Sequence, residues 1–338
     1  MRIEKKKICD LPMVYVTAEL TLGGKRYLAA ASEAPGEHAY IINPDTGKYA
    51  ELWQGETGVM NIIQIPGEER LLVITKFYPV FQSRKAAVCL LTPGPDGYMA
   101  PWHIEEVLKL PFVHRIGIFE SDAGLFLLGC QLCHDKEFQE DWTQPGALWT
   151  APVPKPGGEW KWSRLFEGLT KNHGLYIDGG NQVYICAENG VLLFDMKHYR
   201  PGMPMMPKLV STTPTSDICI AKDKEGMLAG VIEPFHGDKL ALYRITDNTY
   251  ELLSDYDIAF GHVVWVGSLF GRTAVIAGSR GGEQKQLEII SPEDGTRTIL
   301  DTDVGPTQIT VYEDGNTIKI LSANHGSGDI SLYTLYNE

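Results

Sequence analysis

The sequence lacks the features that mark membrane, secreted and disulfide-rich proteins. No apolar run approaches the roughly 20 residues of a membrane span. The first residues, MRIEKKKICDLPMV, carry charges where a secretory signal has an apolar centre. Six cysteines in 338 residues do not form a disulfide framework. We therefore predict a cytoplasmic protein without a membrane partner.

Positive charge is scarce as well. The chain has 30 Lys and Arg residues against 43 Asp and Glu residues, which gives a net charge of −13. Nucleic-acid binding requires a basic face for the phosphates, so this balance argues against a nucleic-acid partner. A small substrate stays compatible with it, because one local cluster can reverse the field inside a pocket.

One short cysteine motif has the spacing of a haem-attachment site. The segment GCQLCH contains Cys130, Cys133 and His134 in C-x-x-C-H order. Covalent haem attachment requires export, and on a strand the two cysteines point to opposite faces. We interpret both as buried structural cysteines.

Helical periodicity is nearly absent, and short strand-like runs recur instead. Runs of Val, Ile, Leu and Tyr alternate with Gly, Asp, Asn and Pro turns, which predicts an all-β protein. The runs form seven similar units. One unit, for example, consists of the strand FVHRIGI, the turn ESDAG and the strands LFLLGC and GALWTAP, in that order. Units of roughly 40–50 residues with about four strands each are typical of propeller blades.

Residues 1–338 are therefore predicted to form a single domain, a seven-bladed β-propeller. Six blades with an irregular remainder is the alternative, because two repeat intervals are long. The last unit contains only three strands, and the N-terminal segment RIEKKKICD can supply the fourth. That strand would close the ring and cover an exposed sheet edge.

Aligning the units places six polar residues at one equivalent position. They are Asn61, His114, His173, Asp217, His262 and Thr307. This position starts the first strand of each blade, which lines the central channel, so the side chains can meet near the axis. Three imidazoles and a carboxylate can bind a divalent metal (Zn, Mn or Mg), and we predict His114, His173, His262 and Asp217 as ligands. The alternative for each histidine is an ordinary channel residue that binds water.

A second set of polar residues lies on the loops between second and third strands, at the same end of the channel. These tip residues are His38, Lys76, His134, Glu188, His236, Arg280 and His325. Seven of the nine histidines fall in the two sets. The tip loops that carry Tyr78 and Trp142 offer aromatic faces that suit sugar rings, although ordinary packing is the alternative for each. We predict His134, Trp142, Glu188 and Tyr78 as substrate-binding residues.

Four segments resemble a known group of propellers: FVHR (112–115), PFHGD (234–238), FGHVVW (260–265) and GSR (278–280). They resemble the FG-GAP/VCBS-like seven-bladed propellers, above all the propeller of aldos-2-ulose dehydratase, a metal-containing sugar lyase. Oligogalacturonate lyase, which binds a metal through a histidine cluster, is a more distant likeness. The sequence departs from the pattern in lacking intact D-x-D-G-D-G calcium loops.

The resemblance implies a metal-dependent lyase or isomerase acting on a keto-sugar or uronate by proton abstraction and elimination. In that reaction His236 or His325 would carry the proton. Arg280 or Lys76 would pair with a carboxylate or oxyanion. Alternatively, His236 would serve as an additional metal ligand instead of carrying the proton. The alternative function is a non-catalytic binding or scaffold propeller, because fold alone does not imply function.

Overall fold

The computed structural model describes residues 1–79, 82–246 and 250–337. Across these ranges the regular elements are 28 β-strands, without an α-helix. The strands form seven four-stranded antiparallel sheets, each one a blade of a propeller. This confirms the predicted all-β, seven-bladed fold. Within the same ranges no helix is long and apolar enough to cross a bilayer.

Six blades use four consecutive strands each, ordered from the channel outwards. Blade 1 has β2 (Val14–Leu22), β3 (Lys25–Ser32), β4 (Ala39–Ile42) and β5 (Tyr49–Glu51); blade 2 has β6 (Asn61–Gln64), β7 (Leu71–Thr75), β8 (Ala87–Thr92) and β9 (His103–Lys109). Blade 3 has β10 (Val113–Ser121), β11 (Gly124–Gln131), β12 (Gly146–Pro152) and β13 (Ser163–Leu169); blade 4 has β14 (Gly174–Asp178), β15 (Gln182–Ala187), β16 (Gly190–Asp195) and β17 (Lys208–Ser211). Blade 5 has β18 (Asp217–Asp223), β19 (Gly226–Glu233), β20 (Lys239–Ile245) and β21 (Tyr250–Asp257); blade 6 has β22 (Gly261–Leu269), β23 (Arg272–Ser279), β24 (Leu287–Ile290) and β25 (Arg297–Asp301).

Blade 7 combines the two ends of the chain. It contains β26 (Pro306–Asp314), β27 (Thr317–Asn324) and β28 (Asp329–Tyr336), with β1 (Arg2–Asp10) as its outer strand. β1 pairs antiparallel with β28 from Arg2 opposite Tyr336 to Asp10 opposite Asp329. The N-terminal strand therefore closes the last blade, as predicted.

The apolar core lies between neighbouring blades. One cluster joins Phe126 and Leu128 of blade 3 to Val183 and Ile185 of blade 4. Because each sheet is apolar on both faces, every blade needs a neighbour on either side to bury them, and a closed ring provides this. The packing fixes where each first strand begins at the channel, which in turn positions the site described next.

Candidate metal and substrate site

The first strands of four blades begin with the same irregularity. In blades 1, 3, 6 and 7 the pairing with the second strand shifts at the second residue, which leaves Tyr15, His114, His262 and Thr307 outside the regular register. Such a β-bulge bends the strand and re-aims the extra side chain. All four side chains are buried at the same end of the channel.

Four histidines from four successive blades meet at this end, and we call them the histidine cluster: His114, His173, His236 and His262. Ring centroids are 4.3 Å apart for His114 and His173, and 4.8 Å for His173 and His236. Those of His236 and His262 are 5.0 Å apart. The hydroxyl of Tyr15 lies 3.1 Å from Nε2 of His262 and 3.4 Å from Nε2 of His114.

Three members of the cluster are arranged as a metal site requires. His173, His236 and His262 each present a ring nitrogen, and these nitrogens lie within 4.8 Å of one another. Nε2 of His173 and Nε2 of His236 are 3.1 Å apart. Two nitrogens that bind one tetrahedral zinc ion at 2.0–2.1 Å would be separated by about 3.3 Å.

Backbone carbonyls fix the tautomers of two of these rings. Nδ1 of His173 lies 3.0 Å from the carbonyl oxygen of Ser216, and Nδ1 of His262 lies 2.7 Å from that of Thr307. A carbonyl can only accept, so Nδ1 of each ring carries the proton and donates it. The Nε2 lone pairs are then left for a ligand. A hydrogen bond from the other ring nitrogen to a carbonyl is usual in histidines that bind a metal.

The cluster is neutral at pH 7. Burial holds the pKa values of His114, His173 and His262 well below the ordinary histidine range. Burial, followed by the cationic Arg280 and Arg115, lowers the pKa of His236 to about 3. Neutral imidazole is the form that binds a metal ion.

Asp217 lies apart from the three-nitrogen group. Its carboxylate is 3.8 Å from the guanidinium of Arg115, in the channel beneath the histidines, and burial raises its pKa. His114 touches the group but adds no ligand atom to it. Its Nδ1 is buried and has no hydrogen-bond partner within the described ranges. The donor set that fits a metal is therefore His173, His236 and His262.

A tight turn brings His236 over the channel. The backbone of His236 has a φ of +47°, and the ring stacks on Phe235 at a centroid distance of 4.2 Å. Gly237 follows, where a Cβ atom would overlap the carbonyl oxygen of Glu233. Only glycine allows this turn to pass so close to its own backbone.

A cavity of about 720 Å³ opens above the cluster. One wall of it is aromatic and includes Phe77, Tyr78, Trp142 and Phe235. Trp142 comes from the long tip loop of blade 3 and packs edge-on against Phe235 of blade 5, with ring centroids 5.5 Å apart. Two of the predicted substrate-binding residues, Tyr78 and Trp142, thus line the cavity.

A polar group of three residues lies at the opposite wall. Glu33 Oε1 is 2.7 Å from Nε2 of His325 and 3.0 Å from Nη2 of Arg280. Glu33 and Arg280 line the cavity, whereas His325 supports them from behind. The sequence alignment missed Glu33 because it took His38 as the tip residue of blade 1. His38 is 49 % exposed in its side chain and pairs with Glu51.

A signal for Glu33 was present in the repeat. Glu33 directly follows β3, as Arg280 follows β23 and His325 follows β27. Tyr15 likewise occupies in blade 1 the position that His114 and His262 occupy in blades 3 and 6.

The remaining tip residues lie away from the cavity. Lys76 forms ion pairs with Glu106 at 2.9 Å and Glu56 at 3.2 Å. Glu188 is exposed and pairs with Lys171 at 3.0 Å. His134 is exposed, and its backbone N–H donates to Gln144. The roles predicted for these three residues stay predictions.

Comparisons with known proteins identify the fold. No family model matches the chain, and no curated protein matches it. Solved structures do match it. A protein described as a "putative 6-phosphogluconolactonase" from Bacteroides fragilis NCTC 9343 is 11 % identical, with a TM-score of 0.57, covering 94 % of this chain and 93 % of its own.

Two further solved structures have the same fold. A chain of the mitotic checkpoint complex is 14 % identical, with a TM-score of 0.64, covering 99 % of this chain and 91 % of its own. Saccharomyces cerevisiae Sqt1 is 10 % identical, with a TM-score of 0.56, covering 95 % and 83 %. These likenesses show a β-propeller that has a distant sugar-lactonase-like neighbour. They show no link to FG-GAP propellers or to aldos-2-ulose dehydratase.

Proposed function

We propose that this protein is a metal-dependent lyase or isomerase that acts on an acidic or keto sugar in the cavity above the histidine cluster, which we call the mouth cavity. The observation that carries the proposal is the group of three ring nitrogens of His173, His236 and His262, within 4.8 Å of one another beneath that cavity. Two of the rings have their Nδ1 protons held by backbone carbonyls, so the Nε2 lone pairs face a common centre. A bound divalent ion would supply a positive charge for an enolate that develops next to a carbonyl or carboxylate.

The chain's own residues provide the other functions of such a reaction. Arg280 and Lys285 line the cavity and can pair with a substrate carboxylate. The aromatic wall can stack on a sugar ring while leaving the ring hydroxyls accessible. Together they favour an anionic carbohydrate over an apolar ligand.

Proton transfer falls to the Glu33 and His325 pair in this scheme. His236 belongs to the metal group, whereas His325 lies outside it and is hydrogen-bonded to Glu33. The Glu33 carboxylate lines the cavity and can exchange a proton with the substrate. Nε2 of His325 lies beside it, 2.7 Å from Glu33 Oε1 and 2.8 Å from Arg280 Nη2. Arg280, 3.0 Å from Glu33, holds the carboxylate in place.

Measurements of metal content and of elimination activity test the proposal together. Protein purified without a histidine tag is analysed for metals, and uronides are assayed for the ultraviolet absorbance of the unsaturated product. Keto-sugars are followed by NMR for isomerisation or dehydration. We expect close to one divalent ion per chain in the parent protein and in His38→Ala, and loss of metal and turnover in His173→Ala. His38 is the matched control because it is an exposed histidine outside the cluster.

A metal-free parent protein after growth in metal-rich medium would contradict the proposal. Retained sugar binding in that case would favour the alternative, a non-catalytic binding propeller.

A further inference from the structure

Tyr15 lies beside the histidine cluster but takes no part in the proposed reaction. It is the second residue of β2, at the bulged position that His114 and His262 occupy in blades 3 and 6. Its side chain is 3 % exposed and lines the mouth cavity. The ring packs edge-on against His262, with centroids 5.2 Å apart, and belongs to a buried cluster with Met60 and Phe77. The strand and this packing therefore fix the hydroxyl next to the histidines.

Two ring nitrogens converge on the Tyr15 hydroxyl. Nε2 of His262 is 3.1 Å from it, and Nε2 of His114 is 3.4 Å from it. Nδ1 of His262 donates its proton to the carbonyl oxygen of Thr307, so Nε2 of the same ring has no proton and can only accept. The Tyr15 hydroxyl therefore donates to Nε2 of His262 in the metal-free protein. A metal ion bound to that lone pair would leave the hydroxyl without its acceptor.

The Tyr15 oxygen has the spacing of a metal ligand. Its distance of 3.1 Å from Nε2 of His262 equals the distance between Nε2 of His173 and Nε2 of His236. Two ligands of one tetrahedral ion at 2.0–2.1 Å are separated by about 3.3 Å. Three histidines leave one position of such an ion vacant, and Tyr15 lines the cavity above them.

The charges around the cluster favour an anion as the fourth ligand. The histidines are neutral and leave both positive charges of a divalent ion uncompensated. The guanidinium carbons of Arg115 and Arg280 lie 6.0 and 5.9 Å from the centre of the Tyr15 ring and add further positive charge. The nearby carboxylates already face these arginines, Asp217 at 3.8 Å from Arg115 and Glu33 at 3.0 Å from Arg280. Buried charge is costly unless an opposite charge accompanies it, and a phenolate supplies one.

We propose that Tyr15 is the fourth protein ligand of the metal site and binds the ion through its phenolate oxygen. This inference rests on the metal group of the proposed function and adds an anionic ligand to it. The phenol proton passes to solvent as the metal–oxygen bond forms, and the oxidation state of the metal is unchanged. Three imidazoles and one phenolate favour zinc or another transition-metal ion over magnesium or calcium, which take mainly oxygen ligands.

A spectroscopic signature tests this ligand without requiring turnover. The metal-free protein is loaded with one equivalent of Cu²⁺, which binds nitrogen and oxygen sites more tightly than the other first-row divalent ions. We expect a phenolate-to-copper charge-transfer band in the visible spectrum, and tyrosinate ring modes in the resonance Raman spectrum excited in that band. Tyr15→Phe keeps the packing of the ring and all three nitrogens. It should therefore still bind copper, although more weakly, and lose both the band and the ring modes.

Two further variants serve as controls. Tyr176→Phe removes another hydroxyl of the channel, which donates to the backbone carbonyl of Ile220 beneath the cluster, and should keep the band. His173→Ala removes a nitrogen ligand and should lose the bound copper and the band together. Copper bound to the parent protein without the band, or a band that survives in Tyr15→Phe, would overturn the Tyr15 ligand and leave the proposed function standing. A parent protein that binds no stoichiometric metal would contradict both.

Discussion

At the scale of single residues, two backbone carbonyls decide the chemistry of the histidine cluster. Ser216 and Thr307 accept the Nδ1 protons of His173 and His262 and so direct both Nε2 lone pairs to the same place. The third ring, His236, is only partly buried and comes from a loop rather than from a strand. It is the member of the group whose role is most open to test.

Removal of the imidazole in His236→Ala is expected to weaken metal binding by at least the roughly 10–100-fold that loss of a group supporting a ligand costs, because here one of the three histidine ligands is itself lost. Turnover should fall with it and recover in part when excess metal is added. Metal titration with a competing chelator provides the measurement. His198→Ala, an exposed histidine paired with Asp122, is the control that should change nothing. Full metal content with turnover lowered by about 10²–10⁴-fold would instead make His236 a proton carrier.

Residue patterns in the sequence located much of the cluster but not its supporting groups. The side chains of equivalent positions point the same way in each blade. Repeat spacing therefore predicts that His114, His173 and His262 lie at the same depth in the channel, as they do. It did not place Glu33, because the tip loop of blade 1, residues 33–38, also offers a histidine at its far end. Side-chain direction in an irregular loop depends on backbone angles that periodicity does not encode.

At the scale of structural elements, the turn after β19 and the bulges in β2, β10, β22 and β26 position the site. The sequence gives no sign of a β-bulge, since an extra residue changes the pairing without changing composition. The structure shows that Tyr15, His114 and His262 are bulged residues, which is why they reach one another across the channel. The alignment therefore predicts the depth of the two histidines in the channel but not the bulges that turn their side chains towards one another.

The turn that carries His236 should tolerate no side chain at position 237. A methyl group in Gly237→Ala would overlap the carbonyl oxygen of Glu233 and push His236 out of position. We expect lower metal affinity with the blades still folded, measured by chelator competition and circular dichroism. Gly94→Ala is the matched control, because its added Cβ would meet only Pro101 O at an ordinary 3.7 Å. Unchanged metal affinity in Gly237→Ala would show that the turn has room to adjust.

Closure of blade 7 should be essential for a cooperative fold. Deleting residues 1–10 removes a strand that pairs along the whole of β28 and leaves that edge exposed. We expect a lower melting temperature and concentration-dependent aggregation, measured by calorimetry and light scattering. Lys7→Ala, which removes an exposed charge from the strand and leaves the pairing intact, serves as the control. A truncated protein that melts like the parent would mean that the ring is held by blade packing alone.

At the scale of the whole molecule, the histidine cluster links stability to pH. In the unfolded chain each histidine binds a proton below its ordinary pKa of 6.5, whereas in the folded protein burial lowers these pKa values, that of His236 to about 3. The unfolded state then binds more protons. The contribution of the neutral cluster to the free energy of unfolding is therefore fully present above pH 6.5 and is lost as the pH falls towards 3. The slope is up to about 1.4 kcal/mol per histidine for each pH unit.

Denaturant unfolding of the metal-free protein at about pH 7 and about pH 5 measures this loss. His173→Ala should show a shallower dependence on pH than the parent, and His38→Ala the same dependence. Equal slopes in all three proteins would mean that the cluster takes up protons in the folded state.

The pairing of β1 with β28 also has a consequence for synthesis. On a ribosome β1 is made long before its partner β28, because Arg2 lies opposite Tyr336. At about 5–20 residues per second, β1 waits on the order of 20–60 s for its partner. We expect the charges of Lys5, Lys6 and Lys7 to keep the unpaired strand from associating with other nascent chains during that interval. The same segment would then protect the growing chain before it completes the ring.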